Sequence, residues 1–173
     1  MSEAIRIRKG LDIKLEGKAD KIFVKAPRSK TYAVKPVDFH SLTPRIDAKP
    51  CVEVKVGTTI FHDKYRPEIK FTSPVSGIVQ SIVRGERRRI IEVVIENDGK
   101  DTAETFLKGD PNKLTKEQII ENLLESGLWP SFIQRPYGTI ASPKDTPKAI
   151  FISGFDSAPL APDFDFIMKD MET

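Results

Sequence analysis

Apolar and polar residues alternate through Ile69-Lys70-Phe71, the period-two signature of a strand with one buried face. Arg66-Pro67 interrupts that pattern; proline fixes φ and donates no hydrogen bond, so a hairpin turn is expected there. Ser73-Pro74-Val75-Ser76-Gly77 predicts a second turn, and Gly77-Ile78-Val79 opens the next strand. Upstream, Ala4 to Arg8 and Leu11 to Leu15 alternate and stop at Lys9-Gly10 and Gly17. Ile22-Phe23-Val24 and Tyr32-Ala33-Val34 are further β-like runs, separated by Pro27-Arg28-Ser29. Pro36 to Pro50 holds three prolines and little periodicity, which predicts loop. Val52, Val54 and Val56 alternate with Glu53 and Lys55, giving a strand that closes at Gly57. Ile78–Val83 and Ile90–Ile95 predict two more strands around a charged turn, with Ile91, Val93 and Ile95 sharing one face and Asn97-Asp98-Gly99 ending the second.

Many short strands with closely spaced turns predict an all-β sandwich or barrel for about the first hundred residues. Strand, turn, strand, Ser-Pro-Val-Ser-Gly turn and strand resemble the core of a biotinyl/lipoyl-like barrel. The pattern then changes to helical. Thr115 and Gln118 make a capping box, with Leu114 and Ile119 as its hydrophobic staple. Ile119, Ile120, Leu123 and Leu124 share one face, and Gly127 stands where a helix C-cap belongs. Leu128 to Tyr137 reads as an aromatic loop with two prolines. Ala149-Ile150-Phe151-Ile152-Ser153 is almost wholly apolar and suits a strand buried on both faces of a parallel sheet. The few residues after it cannot build such a sheet, whose crossovers each need about a dozen residues or more. The chain is therefore expected to be mainly β with some α: a barrel-sandwich domain over 1–100, a linker with one helix and the aromatic loop over 101–147, and the start of a truncated, Rossmann-like α/β domain over 148–173.

Composition narrows the chemistry. With 39% hydrophobic and 31% charged residues, a folded core is expected, and a net charge of +3 is too small and too evenly spread to argue for nucleic acid. The single cysteine, Cys51, excludes an internal disulfide framework and fits a reducing compartment. No signal-peptide core and no apolar run of about 20 residues is present, so membrane association is expected only through partners. His40 and His62 lie outside any metal-ligand spacing, and no glycine-rich nucleotide motif or G-x-S-x-G frame occurs, so no independent active site is expected. Arg84-Gly85-Glu86-Arg87-Arg88-Arg89 reads either as a solvated turn or as a patch facing an anion or a partner chain. Lys64 sits off the centre of a tip lengthened by Tyr65-Arg66-Pro67, which argues against a lipoylated lysine.

Three stretches carry a more specific resemblance: Ile5 to Asp12; Ile69 to Gly77 followed by Arg84-Gly85-Glu86-Arg87-Arg88; and Glu125 to Phe132 with Arg135-Pro136-Tyr137 and Ala149-Ile150-Phe151. In order and spacing they are similar to the N-terminal part of the A subunit of sodium-translocating NADH:quinone oxidoreductases. Gly127-Leu128-Trp129-Pro130-x-Phe132-x-x-Arg135-Pro136-Tyr137 is the strongest of these signals, and Pro50-Cys51-Val52 departs from the family, where a Gly-Asp turn is expected. The resemblance implies a peripheral subunit on the cytoplasmic face of the bacterial inner membrane, in a six-subunit complex that passes electrons from NADH to a quinone and pumps sodium. Flavins and iron–sulfur centres are implied for partner subunits and no cofactor for this chain. By motif position, a quinone- or inhibitor-binding region would comprise Asp38, Phe39, His40 and Leu42 together with Trp129, Phe132, Arg135, Pro136 and Tyr137. Trp129, Phe132 and Tyr137 would supply apolar walls, and Arg135 would meet a quinone carbonyl or a partner's carboxylate. The alternative is that Trp129 and Phe132 pack an interdomain joint. Rival assignments are a component of the related ion-motive ferredoxin:NAD reductase, a lipoyl-like carrier and a pure assembly module.

Overall fold

The computed structural model describes residues 15–17, 20–154, 156, 158 and 160–169. The strands expected over 4–8 and 11–15 lie outside these, apart from Leu15, as does the first of the three resembling stretches. Residues 27–146 form one compact unit, and the described parts of 1–26 and 147–173 form a second.

Within 27–146, seven strands make two sheets: β1 (Thr31–Val34), β2 (Pro44–Ile46), β3 (Glu53–Val54), β4 (Thr59–Asp63), β5 (Lys70–Thr72), β6 (Gly77–Arg84) and β7 (Ile90–Asn97). One sheet has the order β1-β7-β6-β3 and the other β2-β4-β5, and every pairing is antiparallel. Val54, Val79, Val93 and Ile95 from the first sheet join Ile60, Phe61 and Phe71 from the second in one buried cluster. Alternation along β5, β6 and β7 thus supplies inner faces of a sandwich, while a register shift at 59–61 in β4 buries both Ile60 and Phe61.

The Ser73 to Gly77 turn shows why its residues are those. The Ser73 hydroxyl donates to the Val75 carbonyl at 2.6 Å, and the buried Ser76 hydroxyl donates to Asp98 Oδ1 at 2.5 Å. Asp98 also accepts the Lys100 amide, and these two bonds hold its carboxyl below the usual aspartate range, Ser76 having the larger effect. At Gly77, φ is +152° and an added Cβ would stand 1.8 Å from the Glu96 carbonyl oxygen, so only glycine lets β6 approach β7 there.

Several expectations change. Ile22-Phe23-Val24 is exposed and lies in no strand among the described residues, because an apolar run needs a hydrogen-bonding neighbour to make a ladder. The segment from Pro36 to Pro50 is less irregular than its prolines suggest: a single 3-10 turn covers Pro36–Asp38, and β2 begins at Pro44. Pro44 is tolerated because β2 is an edge strand. The Val52–Val56 strand shortens to β3, while Val56 makes an isolated parallel bridge to Ala103. In β7 the buried residue is Ile90 and Ile91 faces out, because a bulge pairs Val83 with Glu92 and Arg84 with Ile90, passing over Ile91 and shifting the alternation.

After the β unit, α1 (Lys116–Glu125) starts in the expected capping box: Thr115 Oγ1 accepts the Gln118 amide at 3.3 Å and Gln118 Oε1 accepts the Thr115 amide at 3.0 Å. It ends in a Schellman motif, with the Leu128 amide on the Leu123 carbonyl at 3.0 Å and the Gly127 amide on the Leu124 carbonyl at 3.3 Å. Gly127 has φ +74°, and a Cβ there would lie 2.5 Å from Thr72 Oγ1, so glycine also lets the helix end close on β5. Leu128 to Tyr137 is more ordered than a loop: a 3-10 turn at Trp129–Ser131 leads into a hairpin of β8 (Ile133–Gln134) and β9 (Thr139–Ile140).

In the second unit, the buried strand expected at Ala149–Ser153 is not formed among the described residues: Phe151 is 93% and Ile152 84% exposed. A short helix, α2 (Phe164–Met168), carries Phe166 stacked on Phe23 at 4.8 Å, and Lys21 pairs with Asp163 at its N-cap.

Candidate functional site

The two stretches singled out by motif position converge on β5. Phe39 follows the Pro36–Asp38 turn and meets the Phe71 ring edge-on at 4.7 Å, and Phe71 stacks on Phe61 at the same distance. Leu42 packs against the same buried cluster. From the other side of the sequence, α1 and its C-terminal turn are fastened to β5. Lys70 Nζ reaches Glu125 Oε2 at 2.5 Å, and the Thr72 hydroxyl donates to the Ser126 carbonyl at 3.2 Å. The Trp129–Ser131 turn then contacts β5, and Trp129 joins Phe39 and Leu42 as a half-buried residue against the common core. Its indole N–H donates to the Ala141 carbonyl at 2.9 Å, which meets the need of a buried indole for a partner. Phe132 lies 5.3 Å from Trp129, tilted at 41°.

A further contact ties this aromatic segment to the barrel. Asp63, 2% exposed at the end of β4, accepts from Arg66 Nε at 2.9 Å and from the Tyr65 amide at 3.2 Å. The same guanidinium donates from Nη1 to the Ile140 carbonyl at 2.9 Å. One arginine therefore closes the β4–β5 turn and clamps β9 to it. Asp63 and Arg66 were not among the residues picked out by motif; their i, i+3 spacing was the available signal, whereas Ile140 was not legible as their third member. The clamp also distinguishes this tip from a free carrier hairpin. The Lys64 amide donates to the Thr43 carbonyl at 2.8 Å, and its ammonium lies 5.6 Å from the Tyr65 ring centre.

The remaining members of the expected set are not gathered in the same way, and Tyr137, expected as an apolar wall, is 73% exposed on a hairpin tip. Asp38, His40, Arg135, Pro136 and Tyr137 are exposed, with His40 Nδ1 sharing a 3.1 Å hydrogen bond with its neighbour Ser41. Arg135 and Tyr137 occupy the tip between β8 and β9, where the Arg135–Pro136 bond is cis. Neither forms an ion pair or side-chain hydrogen bond among the described residues. The structure thus brings Phe39, Leu42 and Trp129 against the common core, with Phe132 beside Trp129 but 38% exposed, and leaves Asp38, His40, Arg135, Pro136 and Tyr137 on the surface.

Two concavities of this unit lie away from that region. One, of about 490 Å³, is open between Gly57–Thr59, Glu104–Leu107 and α1. The other, of about 360 Å³, has Ile120 and Leu124 at its base and Glu68, Glu117, Glu121 and Glu125 around it. Neither is lined by a residue of the motif-derived set. Among the described residues no group of three or more His, Cys, Asp or Glu side chains can hold a metal ion, and no helix is long and apolar enough to cross a membrane.

A two-sheet β sandwich with a shared core, followed by a capped helix that docks on its β5 edge, defines a barrel-sandwich hybrid domain. Residues 5–98 match the family model of the NqrA N-terminal barrel-sandwich hybrid domain, and residues 114–173 match that of the NqrA second alpha/beta domain. The chain belongs to the NqrA family. It is 35% identical over 162 residues to the A subunit of the Na(+)-translocating NADH-quinone reductase of Pseudomonas aeruginosa PAO1, covering 92% of this chain and 36% of that protein. The same-named protein of Marinomonas sp. is 36% identical over 168 residues, covering 95% of this chain and 38% of its own length. That of Rhodopirellula baltica is 31% identical over 169 residues, covering 95% and 37%. The chain thus spans little more than a third of the length of the curated relatives it matches.

Proposed function

We propose that this chain is part of the A subunit of a sodium-pumping NADH:quinone oxidoreductase, acting as a peripheral, quinone-side or structural component on the cytoplasmic face of the membrane. The observation that carries this reading is similarity along nearly the whole chain, through both domain models in order, to proteins named as that subunit. Enzymatic activity belongs to the assembled complex; flavins and iron–sulfur centres are assigned to its other subunits, and quinone is its substrate. The convergence of Phe39, Leu42 and Trp129 on the core beside β5, with Phe132 exposed next to Trp129, supports a quinone-side role, because a quinone ring and tail need apolar walls. Arg135 and Tyr137, held on an adjacent tip, are the donors available to a carbonyl. The indole bond from Trp129 to Ala141 equally favours a packing role for that residue.

The test is photolabelling of the assembled complex, containing the full-length subunit, with a photoreactive quinone analogue, followed by peptide mapping. Label concentrated in Asp38 to Leu42 or Phe132 to Tyr137, and competed away by excess quinone, is the expected result. Label confined to other chains would leave this one as scaffold. Failure of the tagged full-length subunit to bring down an NADH-oxidising complex would overturn the assignment altogether.

A further inference from the structure

The β6–β7 hairpin runs past both of its neighbours. Its ladder extends from Gly77–Asn97 to Arg84–Ile90, whereas β1 leaves β7 at Val93 and β3 leaves β6 at Ile78. The far half of the hairpin is thus an arm with no strand neighbour, rooted in the core by Ile82 and Ile90, with a bulge at each end of that half to increase its twist. Arg84, Arg87, Arg88 and Arg89 are exposed at its tip, and none forms an ion pair among the described residues. Glu86 is the one acid between them. Val83 and Ile91, 38% and 37% exposed, flank the tip as apolar shoulders.

The tip is held in shape by its own bonds. Arg84 Nη1 donates to the Arg88 carbonyl at 3.2 Å, the Gly85 amide to the Arg89 carbonyl at 2.8 Å, and the Arg89 amide to the Glu86 carbonyl at 3.1 Å. Arg87 and Arg88 both have left-handed backbones, with φ of 53° and 61°. Glycine or asparagine serves that conformation at less cost, so a merely solvated turn has no need of arginine at two such positions in succession.

We propose that this arm is a docking knob for an acidic segment of a partner protein. A guanidinium is a planar fork that matches a carboxylate through two parallel bonds, and its weak hydration suits it to an interface. The internally bonded tip pre-organises the arginines, which lowers the ordering cost of association. Val83 and Ile91 exclude water beside the charges. A fixed tip favours a partner of fixed shape over fluid lipid head groups, which would be met as well by a flexible run of lysines. The identity of the partner rests on the proposed membership of the reductase; the chemistry of the arm does not.

The test uses the full-length subunit in its assembled complex. Arg88→Lys keeps the charge and places an amine at the tip, and a carbodiimide then joins that amine to any carboxylate in contact. The expected product is an amide between position 88 and an Asp or Glu of another chain, with a yield that falls severalfold between about 0.05 and 0.5 M salt. In a second variant, Arg87→Glu/Arg88→Glu/Arg89→Glu, retention of the subunit by the complex is expected to fall about tenfold. Its urea midpoint should stay unchanged, since these side chains are exposed. Coupling only within the same chain, or undiminished retention of the folded triple variant, would overturn the proposal. So would loss of binding to phosphatidylglycerol vesicles in the triple variant with retention by the complex intact, which would assign the arm to lipid. If the unaltered subunit itself retained no partner, it is the assignment to the complex that would fall, and the two failures are thereby distinguished.

Discussion

Two apolar runs of closely similar composition meet opposite fates. Ile90 to Ile95 becomes β7, with Ile90, Val93 and Ile95 buried, whereas Ile150, Phe151 and Ile152 are exposed. Local propensity does not separate them, since both are rich in β-branched residues. What differs is the neighbourhood. β7 has β6 on one side and β1 on the other, and a facing sheet supplies Phe61 and Phe71. The 149–153 run lies in no strand among the described residues. A strand is a relation between segments, and an apolar sequence is only one half of it.

The largest test of this contrast removes the facing partner. Phe61 is fully buried and stacks on Phe71 at 4.7 Å, so Phe61→Ala is expected to cost about 3–5 kcal/mol in urea unfolding, through lost transfer energy and a residual cavity. A loss below about 1 kcal/mol would mean that the two sheets do not share a rigid core. Next is the clamp. Arg66→Ala leaves Asp63 buried without its cation, at a cost of about 3 kcal/mol, the low end for a broken buried pair because Arg66 itself is partly exposed. The same change frees Ile140, so Trp129 emission should shift to the red as the 129–141 segment loosens. Asp63→Asn combined with Arg66→Met should recover part of the stability, since the unpaired charge is then gone.

How far these features could be read from the sequence follows the same division. The Arg66-Pro67 turn, the Ser73 to Gly77 turn and the α1 capping box rest on bonds between near neighbours, and each was legible. The burial switch at Ile90 and Ile91 was not, because it depends on which residue of the facing strand is passed over at a bulge. Nor was the order within Leu128 to Tyr137, where β8 and β9 pair and Trp129 finds the Ala141 carbonyl only after the chain turns back. For the candidate site, motif position located two stretches that meet near β5, but not that Phe39, Leu42 and Trp129 pack inward while Phe132, Arg135 and Tyr137 stay outside. Arg66 illustrates the limit well. Its bond to Asp63 spans three residues, while its bond to Ile140 joins distant parts of the chain.

A smaller effect concerns how the Ser73 to Gly77 turn is tied to the end of β7. Asp98 titrates below its unfolded value, first because the Ser76 hydroxyl donates to it and then because the Lys100 amide does. Its contribution to stability is therefore present in full above about pH 4 and is lost as the pH falls through the lower, folded value. In Ser76→Ala the carboxyl should move up towards the ordinary aspartate value, as followed by NMR titration, and the acid-side loss of stability should shrink. An unchanged Asp98 titration would show that the Lys100 amide alone holds it down.

The smallest expected effect is the most decisive for the contrast between the two runs. Phe151 is 93% exposed, so Phe151→Ser removes a side chain that contributes no burial in this chain, and the unfolding free energy should change by less than about 0.5 kcal/mol. The equivalent change in β7, Val93→Ser, removes a fully buried side chain and introduces a hydroxyl with no partner provided, at a cost of about 2–3 kcal/mol. Measured side by side, the two substitutions ask whether context alone decides what an apolar residue is worth. A loss at Phe151 as large as that at Val93 would mean that the 149–153 run is covered in solution. A null effect at Phe151 would leave it as apolar surface, of the kind that marks a face made for contact.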